Sequence, residues 1–117
     1  MSRTVTIYHN PRCSKSRQTL ALLEENGVAP NVVEYLKTPP SAAELKRVLK
    51  KLGLKPHDIV RKGEAVYAEL GLKEKNVSDD ELIALMAANP ILIERPIVVS
   101  GDKAALGRPP EAVLKIV

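Results

Sequence analysis

The only cysteine in the 117-residue chain is Cys13, in the stretch "YHNPRCSKSRQTL". A lone cysteine is by default a small buried hydrophobe, and three features argue for a nucleophile instead. The residue falls where a strand gives way to a helix, so unpaired backbone N–H groups and the positive end of the helix dipole favour an anion there. A thiolate is such an anion, and its population at neutral pH rises accordingly. His9, Arg12, Lys15 and Arg17 add possible positive charge within a few residues, and Pro11 stiffens the loop without offering an N–H. No large aliphatic side chain stands next to Cys13 to hide the sulfur.

The spacing also limits the chemistry. A C-x-x-C redox pair would need a second cysteine at position 16, where Ser16 stands. "CSKS" is therefore C-x-x-S, a nucleophile without a resolving thiol in its own chain, and any disulfide cycle must be completed by an external thiol. A phosphatase-type loop would need arginine six residues after the cysteine, and that position is Thr19. Arginines in punctuated contexts occur further on: Arg61 in "IVRKGE", Arg95 in "IERPIVV" and Arg108 in "LGRPPE". Arg95 and Arg108 precede prolines, which bias them to extended backbone, and they flank one predicted hairpin, so they can meet in space. Guanidinium forks match tetrahedral oxyanions bidentately. A low-pKa thiol near such forks suits attack on an anionic tetrahedral centre.

The elements that must position these groups are legible. "RTVTIYH" alternates and is β-rich, predicting a strand over roughly 4–8. A helix follows from about Ser14, with Leu20 and Leu23 on its apolar side and a stop at Asn26–Gly27. "NVVEYL" predicts a second strand, and the β-α-β order implies parallel pairing. Ser41 with Glu44, and Ser78 with Glu81, form capping boxes that start two helices. The first continues with Leu45, Val48, Leu49 and Leu52 at helical spacing to Gly53. The second has Leu82, Leu85 and Met86 inward, stopping at Asn89–Pro90. Shorter helical pieces are expected around 56–62 and 64–70. "IVVSGDKAAL" predicts a hairpin turning at 100–102, and "GRPPEAVLKIV" a short closing helix. The fold class is α/β: a mixed four-stranded sheet in the order of a thioredoxin-like fold, within a single domain over 1–117, carrying an inserted helical region at about 41–90.

Composition narrows the function classes. Apolar residues make up 44% and charged residues 27%, the profile of an ordinary globular protein, and no apolar run is long enough for a membrane span. The net charge of +4 raises nucleic acid as a partner, but Lys46, Arg47, Lys50, Lys51 and Lys55 fall mostly on the polar side of one helix, and there is no aromatic stacking platform. Neither nucleic acid nor membrane is expected. A single cysteine precludes an internal disulfide, and "MSRTVTIYHN" lacks a secretory signal, so the cytoplasm is predicted. His57 in "KPHDIV" reads as a surface residue at a helix start, and no metal-ligand spacing occurs.

"YHNPRCSKSRQTL", "ERPIVV" and "GRPP" together resemble the glutaredoxin-dependent arsenate reductases, the ArsC family, and particularly its uncharacterised-type members. The resemblance runs over essentially the whole chain. It implies a thioredoxin-like fold with Cys13 as catalytic nucleophile and His9 helping to depress its pKa. It further implies Arg61, Arg95 and Arg108 as oxyanion-binding residues, and Pro96 as the structural, cis proline before the third strand. The activity implied is reduction of arsenate or a similar oxyanion with glutathione as co-substrate and glutaredoxin as partner, and with no bound cofactor or metal. Arsenate reductases of the family usually read C-G-T-S where this chain reads C-S-K-S, which keeps the thiol and changes its neighbours. Two alternatives stand beside this: an Spx-like regulator binding RNA polymerase, although Ser16 departs from the C-x-x-C of those sensors, and a glutathione-dependent thiol reductase acting on mixed disulfides.

Overall fold

A computed structural model describes residues 4–117. It contains four strands, β1 (Val5–His9), β2 (Asn31–Glu34), β3 (Ile97–Ser100) and β4 (Lys103–Leu106). The five α-helices are α1 (Ser14–Glu25), α2 (Ala42–Leu52), α3 (Pro56–Ile59), α4 (Ala65–Glu69) and α5 (Asp79–Ala88). Two short 3-10 helices follow, Pro90–Leu92 and Pro110–Lys115. The chain divides into two compact units: residues up to Thr38 with Arg95–Val117, and Pro39–Glu94.

In the first unit the strands lie in the order β2-β1-β3-β4. β1 runs parallel to β2 and antiparallel to β3, and β3 is antiparallel to β4. This is the mixed sheet of a thioredoxin-like fold, as expected. Along β1 burial alternates, with Val5, Ile7 and His9 inward and Thr6 and Tyr8 half-buried, the period of two that a pleated strand imposes. Val5 and Ile7 join Leu23 of α1, Val98 of β3 and Val113 of the closing helix in one apolar cluster. That cluster sets α1 against the strand that ends at His9, which places the first turn of α1 beside the strand's end.

Ser100 pairs with Lys103, leaving Gly101 and Asp102 as a two-residue turn. Gly101 has φ 61 and no other residue of the turn has positive φ, the type II′ pattern that matches strand twist. Gly27, at φ 76, ends α1 where the sequence places its stop.

The second unit is helical. Ser41 and Ser78 cap α2 and α5 by accepting the N–H of Glu44 and Glu81 at 3.1 and 3.2 Å. α2 and α3 pack on α5, and Leu45, Val48, Leu49, Ile59, Leu82 and Met86 are buried.

Local details differ from expectation. β1 extends through His9, one residue beyond the expected strand, so the histidine is the strand's last residue. β2 stops at Glu34 because the N–H groups of Lys37 and Thr38 both turn back to its carbonyl at 2.9 Å. α3 and α4 are shorter than predicted, and α5 buries Ile83 while Leu85 is half-buried. The closing helix is 3-10. On α1 the buried residues are Ser16, Thr19 and Leu23, with Leu20 only half-buried. Which residues of α1 and α5 are buried was decided by packing, which the local pattern of a helix does not fix. Among the described residues, no helix is long and apolar enough to cross a membrane.

Candidate active site

The loop between β1 and α1 is organised by Asn10, which sequence reasoning did not single out. Its carbonyl accepts the Cys13 N–H at 3.0 Å, closing a four-residue turn. Its side-chain Oδ1 accepts the Arg12 N–H at 3.0 Å, and its own N–H donates to Ser16 Oγ at 3.0 Å. The signal was present: an Asn-Pro dipeptide initiates turns because the Asn side chain bonds the backbone two residues on. Arg17 Nη1 donates to the Pro11 carbonyl at 2.9 Å, tying the same loop to the first turn of α1.

Cys13 is consequently the N-cap of α1, with φ −95 and ψ 123, and its carbonyl accepts the Arg17 N–H at 3.0 Å. The thiol is half-buried and free. Burial works to raise its pKa, but the backbone N–H of Ser16, the Arg95 guanidinium and the backbone N–H of Lys15 outweigh it, and the net shift is downward. The direction agrees with the expectation from helix position. The Arg95 contribution adds a side-chain hydrogen bond and a charge from a residue far away in sequence.

His9 behaves differently from the positive charge expected of it. The side chain is buried, and burial pushes its pKa down, with Glu34 opposing and Arg17 reinforcing the shift. The ring is therefore neutral at pH 7. Its Nδ1 lies 2.7 Å from Ser16 Oγ, and Ser16 also receives the Asn10 N–H. His9 thus reaches Cys13 through Ser16, whose backbone N–H acts on the sulfur, and supplies no positive charge of its own. Ser16, at the position of a missing resolving cysteine, is fully buried and holds strand end, loop and helix together.

Arg95 and Arg108 are brought together across the hairpin, as their flanking positions suggested. Arg108 is exposed, and its Nε donates to the Arg95 carbonyl at 3.1 Å. Arg95 is half-buried, and burial lowers its pKa while Cys13 and Tyr35 raise it, for a net upward shift. Tyr35 is completely buried and shares a side-chain hydrogen bond with the guanidinium, a contact that no local pattern announces. Arg95–Pro96 and Arg108–Pro109 are both cis, the first as the resemblance implied for Pro96. Gly107 donates its N–H to the Pro96 carbonyl at 2.9 Å, and a Cβ there would lie 2.5 Å from Pro96 Cγ and 2.6 Å from Thr19 Oγ1. Glycine is what lets this strand end close on the proline next to Arg95.

Arg61 belongs to the helical unit. Its Nε donates to Glu64 at 3.1 Å and its Nη1 to Glu94 at 2.9 Å, so two carboxylates hold its guanidinium. Its backbone is anchored too, the N–H donating to the Leu92 carbonyl at 2.7 Å. The first unit therefore assembles Cys13, His9, Arg95, Arg108 and Pro96, and Arg61 is organised separately within the second. Among the described residues, no group of three or more His, Cys, Asp or Glu is arranged to hold a metal ion.

A nucleophilic sulfur with a guanidinium on it can attack an electrophilic anion, the arginine offsetting charge that develops on the oxygens. Comparison with known proteins bears on which family uses this arrangement. The ArsC family matches residues 8–116. The chain is 55% identical over 118 residues to YfgD of Escherichia coli strain K12, described as uncharacterised, covering 100% of this chain and 99% of that one. It is 50% identical over 110 residues to an arsenate reductase of Neisseria meningitidis, covering 93% and 94%. A solved structure named arsenate reductase from Vibrio cholerae has a TM-score of 0.95 at 54% identity, covering both chains completely. Since the match takes in sheet, helical segment and the loop before the thiol alike, the chain belongs to the ArsC family.

Proposed function

We propose that this chain is an oxidoreductase that reduces arsenate to arsenite through Cys13, with glutathione and glutaredoxin supplying the two electrons in a reducing, cytoplasmic setting. The observation that carries the reading is the Arg95 guanidinium acting on a Cys13 sulfur whose pKa is lowered. Relatives named arsenate reductase, about half identical over nearly the whole chain, support arsenate as the substrate.

The Cys13 thiolate forms an S–As bond and one arsenate oxygen leaves as water after protonation. Arg95 and Arg108 hold the oxyanion and offset its charge in the transition state. A glutathione thiol forms a second S–As bond, and a second oxygen leaves as water. The glutaredoxin thiolate then attacks the glutathione sulfur, and the S–As electron pair stays on arsenic, reducing As(V) to As(III). This yields a glutathione–glutaredoxin mixed disulfide, and water releases arsenite from Cys13. His9 and Ser16 position the first turn of α1 and do not exchange protons with substrate. Arg61 is the third oxyanion-binding arginine that family membership suggests.

The test is arsenate-dependent NADPH consumption with glutathione, glutaredoxin and glutathione reductase supplied. Turnover that disappears in Cys13→Ser is expected. Undetectable turnover by intact protein with a titratable free thiol sinks the assignment. A second reading, glutathione-dependent reduction of protein mixed disulfides, draws on the half-exposed thiol and the buried Ser16 three residues on. A Cys13 that stays unmodified in oxidised glutathione, by mass spectrometry, removes it.

A further inference from the structure

Segments far apart in sequence meet at one edge of the sheet in the first unit. β1 and β2 are parallel and pair His9 with Glu34 at their ends, so the Cys13 loop and the residues after β2 leave from the same side. β3 is antiparallel to β1 and pairs its first residue, Ile97, with Tyr8. Arg95, two residues before β3 begins, therefore arrives at that side as well. Tyr35 is the residue directly after β2. The topology thus gathers Cys13, Tyr35 and Arg95 at a common edge.

Tyr35 is fixed in place there. The N–H groups of Lys37 and Thr38 both donate to the Glu34 carbonyl at 2.9 Å, a turn that sets the backbone around the tyrosine. Its neighbours on either side are half-buried or exposed, and Tyr35 alone in the stretch 31–39 points fully inward. The phenol oxygen is shut off from solvent, and so are Nε and Nη1 of Arg95. Taking a hydroxyl out of water is costly unless it is bonded, and the bond is the one to the Arg95 guanidinium. The same guanidinium bonds to the Cys13 sulfur. Its N–H donors form a rigid planar fork, so fixing one edge of the fork aims the others.

Resting on the reading of Cys13 as nucleophile and Arg95 as oxyanion-binding residue, we propose that Tyr35 is a positioning residue for the reaction. Its buried phenol oxygen accepts a guanidinium N–H and holds the fork of Arg95 at the angle at which the remaining donors face the sulfur and the incoming oxyanion. A free arginine side chain has much rotamer entropy to lose. Tyr35 takes up that loss when the chain folds, so the charge is already aimed when the substrate arrives, which is the condition for effective transition-state stabilisation.

Tyr35→Phe removes one oxygen and keeps the ring in the core, and the pH dependence of Cys13 alkylation in the intact chain reads the effect with no substrate present. The midpoint is expected to rise, by less than in Arg95→Ala. In the Arg95→Ala background the same change is expected to add no further rise, the non-additivity of residues that act through one group. Val113→Ala, which thins the core of the same unit, is expected to lower Tm and leave the midpoint where it is. With arsenate as substrate, kcat/KM of Tyr35→Phe is expected to fall about three- to tenfold, the effect of losing one hydrogen bond. An unchanged midpoint in Tyr35→Phe overturns the proposal whether or not arsenate is turned over. A rise that persists in full without Arg95, or that Val113→Ala reproduces, overturns it equally. A midpoint that moves as expected in a protein without arsenate turnover supports the positioning role and overturns the arsenate assignment instead.

Discussion

His9 Nδ1 and Ser16 Oγ lie 2.7 Å apart, both buried, and join the last residue of β1 to the first turn of α1. Burial lowers the His9 pKa from 6.5, so the unfolded chain takes up a proton at this residue before the folded protein does. Where the unfolded state binds more protons, stability rises with pH. The contribution is therefore intact above about pH 6.5 and is lost as pH falls from there through the lower folded value. Urea unfolding between pH 7.5 and 5 is expected to show this slope, with a shallower one in His9→Asn, which offers Ser16 a polar partner that does not titrate. Equal slopes in the two proteins would contradict a buried neutral imidazole.

Arg95 acts on the Cys13 sulfur by hydrogen bond and charge. Arg95→Ala is expected to move the midpoint of the pH dependence of Cys13 alkylation upward, toward the ordinary thiol value of about 8.5. Turnover is expected to fall about 10²-fold or more, the usual loss when a preorganised charge at the reacting centre is removed. Arg95→Lys recovers part of the alkylation midpoint and little of the turnover, because an ammonium keeps the charge and loses the planar fork.

Arg108 and Arg61 differ in how they are held, and the two alanine variants are expected to separate accordingly. Arg108 is exposed, so Arg108→Ala changes stability by less than about 0.5 kcal/mol and raises the KM for arsenate. Arg61→Ala leaves Glu64 and Glu94 without the guanidinium between them and costs about 1–2 kcal/mol of stability. Denaturant melts beside steady-state kinetics check both, and a stability loss in Arg108→Ala equal to that in Arg61→Ala contradicts the distinction.

Gly107 has no room for a side chain, since a Cβ would lie 2.5 Å from Pro96 Cγ and 2.6 Å from Thr19 Oγ1. Thr19 cannot turn away freely, because its Oγ1 donates to the Lys15 carbonyl at 2.8 Å. Gly107→Ala is expected to cost about 1–3 kcal/mol, the range for overpacking, and to lower Tm by several degrees. Because Pro96 adjoins Arg95, the Cys13 alkylation midpoint is expected to rise as well. A variant with unchanged Tm contradicts the close approach.

The residues whose meaning lies in their neighbours along the chain were legible in advance. Ser41 and Ser78 start helices because a side-chain oxygen and the N–H three residues on are joined by local geometry. Gly101 turns the hairpin because the two strand ends are two residues apart, and Cys13 caps α1 because a strand, an Asn-Pro turn and a helix follow in order. Partners distant in sequence were not legible. No local pattern tells that Tyr35 and Cys13 meet on Arg95, that Glu94 holds Arg61, or that Gly107 closes on Pro96. The charge of His9 also belongs here: its type suggested a cation, and burial at the end of β1 makes it neutral. The sequence by itself determined the elements and the position of the nucleophile, since hydrogen bonds over three or four residues need no tertiary context. Only the tertiary structure decided which groups surround the sulfur and in what charge state, because desolvation and long-range contacts exist only once the sheet and α1 have packed.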